Sequence, residues 1–143
     1  MSNLKRKKDQ VKKTSVLGAI IDLGYCLDLI EFKNLNILKQ SYSFFKEIRE
    51  ASGFSLPKNK PGGSINDFLL RDLDCAVIES LRQAQSEAGL RPYDSVKGVF
   101  IEGNELYPDA GFKEKNHIQV CIRNPNCIKG FFFAKPLDEA STH

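Results

Sequence analysis

The chain has 143 residues, of which 41% are hydrophobic and 27% are charged. This length is enough for a single hydrophobic core, and the composition is typical of a soluble globular protein. No apolar run approaches the ~20 residues of a membrane-spanning helix, and no apolar segment directly follows the basic N-terminus as in a secretory signal, so we expect a cytoplasmic protein.

The net charge of +3 comes from the N-terminal arm. Residues 1–13 carry six basic side chains and one acidic one, whereas the other 130 residues carry 15 basic and 17 acidic ones. We therefore expect a basic tail or solvated helix over residues 1–14 and a single α+β domain over residues 15–143. A basic arm can displace counterions from phosphates, but no aromatic residue is interleaved in this one to stack on bases, so a nucleic-acid partner is disfavoured.

Hydrophobic periodicity predicts a strand and two helices in the first part of the chain. Residues 15–22 are short, apolar and rich in Val and Ile, which favours a buried strand. Residues 34–52 carry an apolar stripe at spacings of three and four and end at Gly53, which predicts a helix. Residues 64–88 show the same pattern, with Ser64 as the N-cap, and predict a second long helix.

The remaining residues are predicted to form mostly strands. Residues 95–101 favour a strand, and residues 102–116 are predicted to form a long loop rich in glycine, proline and charge. Residues 117–123 alternate apolar and polar side chains, and residues 128–133 form a second, more apolar run. The turn residues between them predict a hairpin of two strands. Helices followed by a run of strands indicate an α+β fold with a mostly antiparallel sheet and two long helices.

The segment from Gln119 to Phe131 resembles the third catalytic segment of the ADP-ribosyltransferase fold. In that family a Glu or Gln opens an apolar strand, a short turn follows, and a second apolar strand returns. The preceding residues 101–112 are similar to the loop that leads into that strand in bacterial toxin-like members. The resemblance covers residues 15–134 and corresponds to the C-terminal half of the family's domain, so it implies a partial ADP-ribosyltransferase-like fold.

The resemblance implies an enzyme that transfers ADP-ribose from NAD, its substrate, to a macromolecular acceptor. It places Gln119 where the family has its catalytic Glu or Gln, and His117 where some members have a second polar residue. The loop before this strand contacts the acceptor in the family, which implies acceptor contacts for four residues: Glu102, Glu105, Tyr107 and Phe112. Gln119 can accept a hydrogen bond from the ribose but carries no charge, which implies weaker or differently arranged catalysis than a Glu. A water-exposed amide on an edge strand is the alternative interpretation of Gln119.

Two further segments of the family have no counterpart in this sequence. The first is a His-Gly-Thr-like tripeptide, and the second supplies a Tyr or Ser that holds the nicotinamide. Activity is therefore expected only if another chain, or a longer gene product of which this chain is a fragment, supplies them. The alternative function is a non-catalytic interaction module on the same scaffold, in which an unpaired sheet edge binds a second copy or a partner protein.

The cysteine pattern predicts neither a metal site nor a stable disulfide. The four cysteines lack any C-x-x-C pairing, and the spacing of His117, Cys121 and Cys127 matches no standard zinc site. Cys121 and Cys127 lie symmetrically about Asn124, so the predicted hairpin places them opposite each other. An intracellular chain would keep such a pair reduced.

Overall fold

The computed structural model describes residues 15–61 and 70–134. The predicted basic arm, residues 1–14, lies outside the described residues. The elements follow one another in this order: β1 (Leu17–Ile21), β2 (Cys26–Asp28), α1 (Phe32–Ala51), α2 (Asp72–Glu87), β3 (Ser95–Glu105), β4 (Lys113–Ile122), a 3₁₀ turn (Pro125–Cys127) and β5 (Ile128–Phe133). Two long helices with an antiparallel and a mixed sheet confirm the α+β prediction.

The chain forms two compact units, and one of them contains β1 and β5. These strands pair antiparallel, with Leu17 opposite Phe133. The ring of Phe132 lies over Gly18, where a Cβ atom would be 2.2 Å from the ring, so a larger residue at this position would require the exposed ring to move. The side chains of β1 are mostly exposed, so the prediction of a buried strand over residues 15–22 is wrong about burial. The physical reason is that a two-stranded sheet has no second layer of its own to bury them.

The second unit, Leu23–Cys127, is built on a three-stranded sheet in the order β2-β3-β4. Strands β3 and β4 form a long antiparallel hairpin that runs from Ser95 opposite Ile122 to Glu105 opposite Lys113. Strand β2 pairs in parallel with the other edge of β3. Parallel strands need a crossover connection, and α1 and α2 lie in the segment that provides it.

Helix α2 covers one face of this sheet. The buried core consists of Leu27 on β2 together with Tyr93 and Val96, and Ile78 and Leu81 of α2 pack against it. Leu27 is fully buried. Because side chains alternate along a strand, the face that bears Val96 is the one that α2 covers, and we call it the helix-side face.

The prediction located helix α1 closely but placed the start of helix α2 too early. Helix α1 matches residues 34–52 within two residues at either end. Helix α2 was predicted over residues 64–88, but it begins at Asp72. The prediction is therefore wrong for residues 70 and 71, which the structure describes as non-helical. Just before the helix, Leu70 forms an antiparallel bridge with Lys60, and extended backbone replaces helical hydrogen bonds there.

The first turn of α2 is capped by a residue far upstream in the sequence. The side-chain oxygen of Asn59 accepts the backbone N–H groups of Leu73 at 3.0 Å and Asp74 at 3.3 Å. This satisfies two of the donors that a helix N-terminus leaves unpaired. The predicted cap, Ser64, lies outside the described residues.

The strand pairing also differs from the prediction. The hairpin predicted over residues 117–133 is wrong, because β4 pairs with β3 and β5 pairs with β1, in different sheets. Between β4 and β5 the chain closes a 3₁₀ turn, in which Cys127 donates its backbone N–H to the carbonyl of Asn124 at 3.0 Å, and not a two-residue hairpin turn. The loop predicted over residues 102–116 is wrong as well, since β3 and β4 extend into it and leave only residues 106–112.

Candidate functional site

The register of β3 and β4 decides which neighbours the polar side chains of β4 meet. His117 lies opposite Phe100, and Gln119 lies opposite Gly98. All four positions share the helix-side face with Val96, because they follow the same two-residue alternation. Glycine contributes no side chain, so Gln119 has no side chain directly opposite it across the hairpin.

The structure brings together the two residues predicted to be catalytic. The Nε2 atoms of His117 and Gln119 are 2.7 Å apart, and His117 Nδ1 lies 2.7 Å from the backbone oxygen of Lys115. A carbonyl oxygen can only accept, so Nδ1 carries the imidazole proton and Nε2 accepts from the amide of Gln119. Among the described residues nothing donates to the amide oxygen of Gln119, and this oxygen is therefore available to a ligand.

Glu102 joins the same cluster from β3. Its Oε1 atom lies 3.9 Å from His117 Nε2, and its side chain is only 21% exposed. Glu102 lies opposite Lys115 in the ladder, so its predicted position in a loop is wrong. Its predicted contact with an acceptor stays a prediction. A carboxylate at this position places an anionic group beside His117 and Gln119.

An aromatic ring and a guanidinium group adjoin the imidazole. The ring of Phe100 stacks on His117 with centroids 6.1 Å apart and planes at 22°. The guanidinium carbon of Arg71 lies 4.3 Å from the centroid of the Phe100 ring. Arg71 also forms an ion pair of 3.2 Å with Asp74 of α2. Neither residue was predicted from the sequence: Phe100 follows the same alternation as Glu102, whereas no local pattern identifies Arg71.

The other predicted acceptor residues lie near the tip of the hairpin. Glu105 accepts a hydrogen bond of 3.2 Å from the backbone N–H of Asp109. Tyr107 and Phe112 are 59% and 64% exposed. An open hollow of about 620 Å³ is formed here by Gly103, Asn104, Glu105, Leu106, Tyr107, Pro108 and Lys113. The tip therefore presents exposed aromatic rings beside a polar hollow.

This tip is distant from Gln119. Gln119 lies six residues along β4 from Lys113, which is about 20 Å of extended chain. Neither the tip hollow nor a smaller one of about 300 Å³ between α1 and α2 is lined by Gln119. The structure therefore separates the predicted residues into two groups: Gln119, His117 and Glu102 in one, and Glu105, Tyr107 and Phe112 in the other.

The opposite end of the hairpin is held by a buried carboxylate, Asp94. Its Oδ1 accepts the side-chain N–H of Asn124 at 2.9 Å, its Oδ2 accepts the backbone N–H of Tyr25 at 2.8 Å, and Arg91 forms an ion pair with it. These contacts, the Asn124 hydrogen bond first, lower the pKa of Asp94 to about 2. The backbone oxygen of Asp94 also accepts the N–H groups of Arg123 and Asn124. One residue thus ties together the start of β3, the end of β4 and the turn before β2.

The face of the hairpin that points away from the helix-side face is apolar. Four β-branched side chains on it are each at least 38% exposed: Val99, Ile101, Ile118 and Val120. We call these four residues the apolar face. Beside them Lys97 Nζ contacts Asp28 Oδ2 at 2.6 Å, and this hydrogen bond lowers the pKa of Asp28 and raises that of Lys97. Within residues 15–61 and 70–134, no strand pairs with the outer edge of β4.

The four cysteines are free thiols. Cys121 is exposed and Cys127 is buried, and they do not face each other, because the hairpin predicted to oppose them does not form. Among the described residues, no three His, Cys, Asp or Glu side chains are grouped so as to hold a metal ion. In the same residues, neither helix has the length and hydropathy needed to cross a membrane.

Comparisons with known proteins assign no family. No protein-family model matches the chain, and no curated protein or solved structure matches it either. Function must therefore be inferred from the geometry around Gln119 and from the resemblance of its sequence segment.

Proposed function

We propose that this chain carries part of the active site of an ADP-ribosyltransferase-like enzyme, which transfers ADP-ribose from NAD to a macromolecular acceptor. The observation that carries the proposal is the contact between Gln119 and His117 on the helix-side face, beside the carboxylate of Glu102. The sequence resemblance selects Gln119 and His117 by their positions in a motif, and their side chains are in contact in the folded chain.

The chemistry requires groups that stabilise a cation-like sugar. In the transfer, the bond between the nicotinamide nitrogen and the ribose carbon breaks, and its electron pair leaves with nicotinamide. The nucleophile of the acceptor then bonds to the same carbon and loses its proton. Hydrogen-bond acceptors for the ribose hydroxyls and nearby negative charge both lower the energy of this state. The amide oxygen of Gln119 is such an acceptor, and the carboxylate of Glu102 supplies the charge that a Gln lacks.

His117 has an orienting role in this scheme. Because its Nε2 accepts the N–H of the Gln119 amide, it fixes the nitrogen end of that amide. The oxygen at the other end is then left as the acceptor for a ribose hydroxyl. Without this hydrogen bond an exposed glutamine would sample several rotamers and both amide orientations.

The test is incubation of the purified chain with adenine-labelled NAD and a cell lysate. Protein-bound label and released nicotinamide are both measured. We expect Gln119→Ala to lower both roughly tenfold or more, and Gln119→Glu to raise them because a carboxylate adds charge at the same position. Asn116→Ala, an exposed polar residue on the other face of β4, is the matched control. Absence of label and of nicotinamide release with the wild-type chain would exclude catalysis by this chain alone.

A second function is favoured by the apolar face and the outer edge of β4. We propose as the alternative that the chain is a non-catalytic module that dimerises with a second copy of itself. A ten-residue strand with an open edge is complementary to its own antiparallel copy, and such pairing satisfies its outward backbone groups. Four exposed β-branched side chains beside that edge supply the apolar contact.

Light scattering tests this alternative, because it measures whether the chain is a dimer or a monomer in solution. The expected result is twice the chain mass for the wild type and a monomer for Ile118→Lys, which introduces charge on the apolar face. Gln83→Lys, on the exposed side of α2, is the control and should remain a dimer. A monomeric wild-type chain over a wide concentration range would refute dimerisation.

A further inference from the structure

A stack of side chains lies against the imidazole of His117 and takes no part in the chemistry proposed above. The ring of Phe100 stacks on the imidazole at 6.1 Å, and the guanidinium of Arg71 lies 4.3 Å from the Phe100 centroid. Arg71 is itself held by Asp74 at 3.2 Å. Three planar groups from three parts of the chain are thus in contact in series.

Both hydrogen-bond partners of the His117 ring belong to β4 itself, so these bonds do not anchor the ring to another element. One goes to the backbone of Lys115 in the same strand, and the other goes to Gln119, an exposed side chain that is free to move without it. Glu102 approaches from β3, but at 3.9 Å it is beyond ordinary hydrogen-bond distance. Phe100 is therefore the group from another strand that packs against the plane of the imidazole.

We propose that Phe100 and Arg71 are positioning residues for the pair formed by His117 and Gln119. Phe100 sets the plane of the imidazole, and Arg71 holds the ring of Phe100 through a cation–π contact. The imidazole plane in turn sets the direction of the Gln119 amide. The consequence for catalysis rests on the proposed function, whereas the positioning itself is measurable without NAD.

The tautomer of His117 reports on this positioning. In the full chain labelled with ¹⁵N-histidine, long-range proton–nitrogen spectra in alkaline buffer should show a protonated Nδ1 and an unprotonated Nε2 for His117. The variant His117→Asn identifies its signal. Phe100→Leu and Arg71→Gln should each give a mixture of the two tautomers. Phe100→Tyr and Arg71→Lys, which keep the ring and the cation, should restore the wild-type spectrum. Phe112→Leu, at the exposed tip, is the control.

Unchanged tautomer populations in both Phe100→Leu and Arg71→Gln would overturn the proposal. If Phe100→Leu does not fold, as judged by circular dichroism, Arg71→Gln supplies the test, since its side chain is partly exposed.

NAD cleavage by the same variants separates this proposal from the previous one. We expect kcat to fall roughly two- to fivefold in Arg71→Gln, as for the loss of one cation–π contact, with KM little changed and recovery in Arg71→Lys. A shifted tautomer without NAD cleavage by the wild type or any variant would support the positioning role and exclude catalysis by this chain alone. NAD cleavage that depends on Gln119, with an unshifted tautomer, would refute the positioning role alone.

Discussion

Asn124 donates its side-chain N–H to Asp94 Oδ1 over 2.9 Å and so joins the residue that precedes β3 to the end of β4. Asp94 is only 7% exposed. The hairpin that carries Gln119 is therefore closed at this end by a buried side-chain contact in addition to its backbone ladder. This contact therefore adds to the ladder that holds β4, and with it the candidate site, in place against β3.

Loss of the amide of Asn124 should destabilise the second unit. Asn124→Ala leaves Asp94 Oδ1 without its first hydrogen bond, and Asn124→Asp places a second carboxylate against it. We expect the urea midpoint of unfolding to fall in Asn124→Ala and to fall further in Asn124→Asp. Asn116→Ala, which removes an exposed amide, should leave the midpoint nearly unchanged. Equal midpoints for Asn116→Ala and Asn124→Ala would contradict the role of this hydrogen bond.

Stability should decrease in acid because of Asp94. Its pKa is 3.8 in the unfolded chain and about 2 in the folded one. A lowered pKa favours the folded state above pH 3.8, and this contribution is lost as the pH falls from 3.8 towards 2. The free energy of unfolding, measured in urea across this range, should decline less steeply in Asp94→Asn than in the wild type. Asp72→Asn, which removes an exposed carboxylate of α2, is the control variant.

The sequence pattern correctly located those elements that show a clear periodicity among neighbouring residues. The stripe of α1 and the apolar run of β5 were located within two residues, because helical and strand periodicity are properties of neighbouring residues. The extension of β3 through Glu102 and Glu105 was missed, since charged residues and Gly103 have low strand propensity. Pairing with β4 overrides that propensity, and Gly103 accommodates the irregularity with a φ of 87°.

Strand partners and distant contacts could not be predicted from the sequence, because they join residues that are far apart along the chain. The sequence identified Gln119 and His117 from a motif of adjacent residues. It did not identify Arg71 or Asp94, because their partners lie far away along the chain and meet them only in the folded state. The candidate site was thus predicted where it lies along one strand and missed where another part of the chain contributes to it.

The core of the second unit should be sensitive at Leu27, which is fully buried between the sheet and α2. Leu27→Ala removes buried methyl groups and leaves a cavity, which costs about 2–5 kcal/mol of the free energy of unfolding. Leu106→Ala, at a position 58% exposed on the hairpin tip, should change it by less than about 0.5 kcal/mol. Chemical denaturation followed by circular dichroism measures both. A similar small effect for both leucines would show that Leu27 is not a core residue.

Alkaline pH should destabilise the fold through Tyr93, which is 5% exposed and stacks on Tyr25 at 4.5 Å. Burial, followed by the contact with Tyr25, raises the pKa of Tyr93 from 10.0 to about 12. Since the neutral phenol is favoured in the folded state, stability is unaffected below pH 10.0 and is lost progressively as the pH rises to about 12. The ultraviolet titration of the wild type minus that of Tyr93→Phe should show a transition near pH 12. A difference curve centred near pH 10.0 would argue that Tyr93 is accessible to water.

Gly24 should be the glycine of the second unit least tolerant of substitution. Its φ is +58°, and a Cβ atom there would lie 2.6 Å from Asp94 Oδ2, so Gly24→Ala combines backbone strain with displacement of the buried carboxylate. Gly53 has a φ of +74°, and no atom lies within 4 Å of the position of its Cβ. Gly53→Ala therefore introduces backbone strain alone, about 1–2 kcal/mol. Gly111→Ala has neither feature and should be nearly neutral. Thermal unfolding of the three variants should therefore rank Gly24→Ala as the least stable, Gly53→Ala as intermediate and Gly111→Ala as close to wild type. If Gly24→Ala were no worse than Gly53→Ala, the Asp94 carboxylate would not be held firmly against this turn.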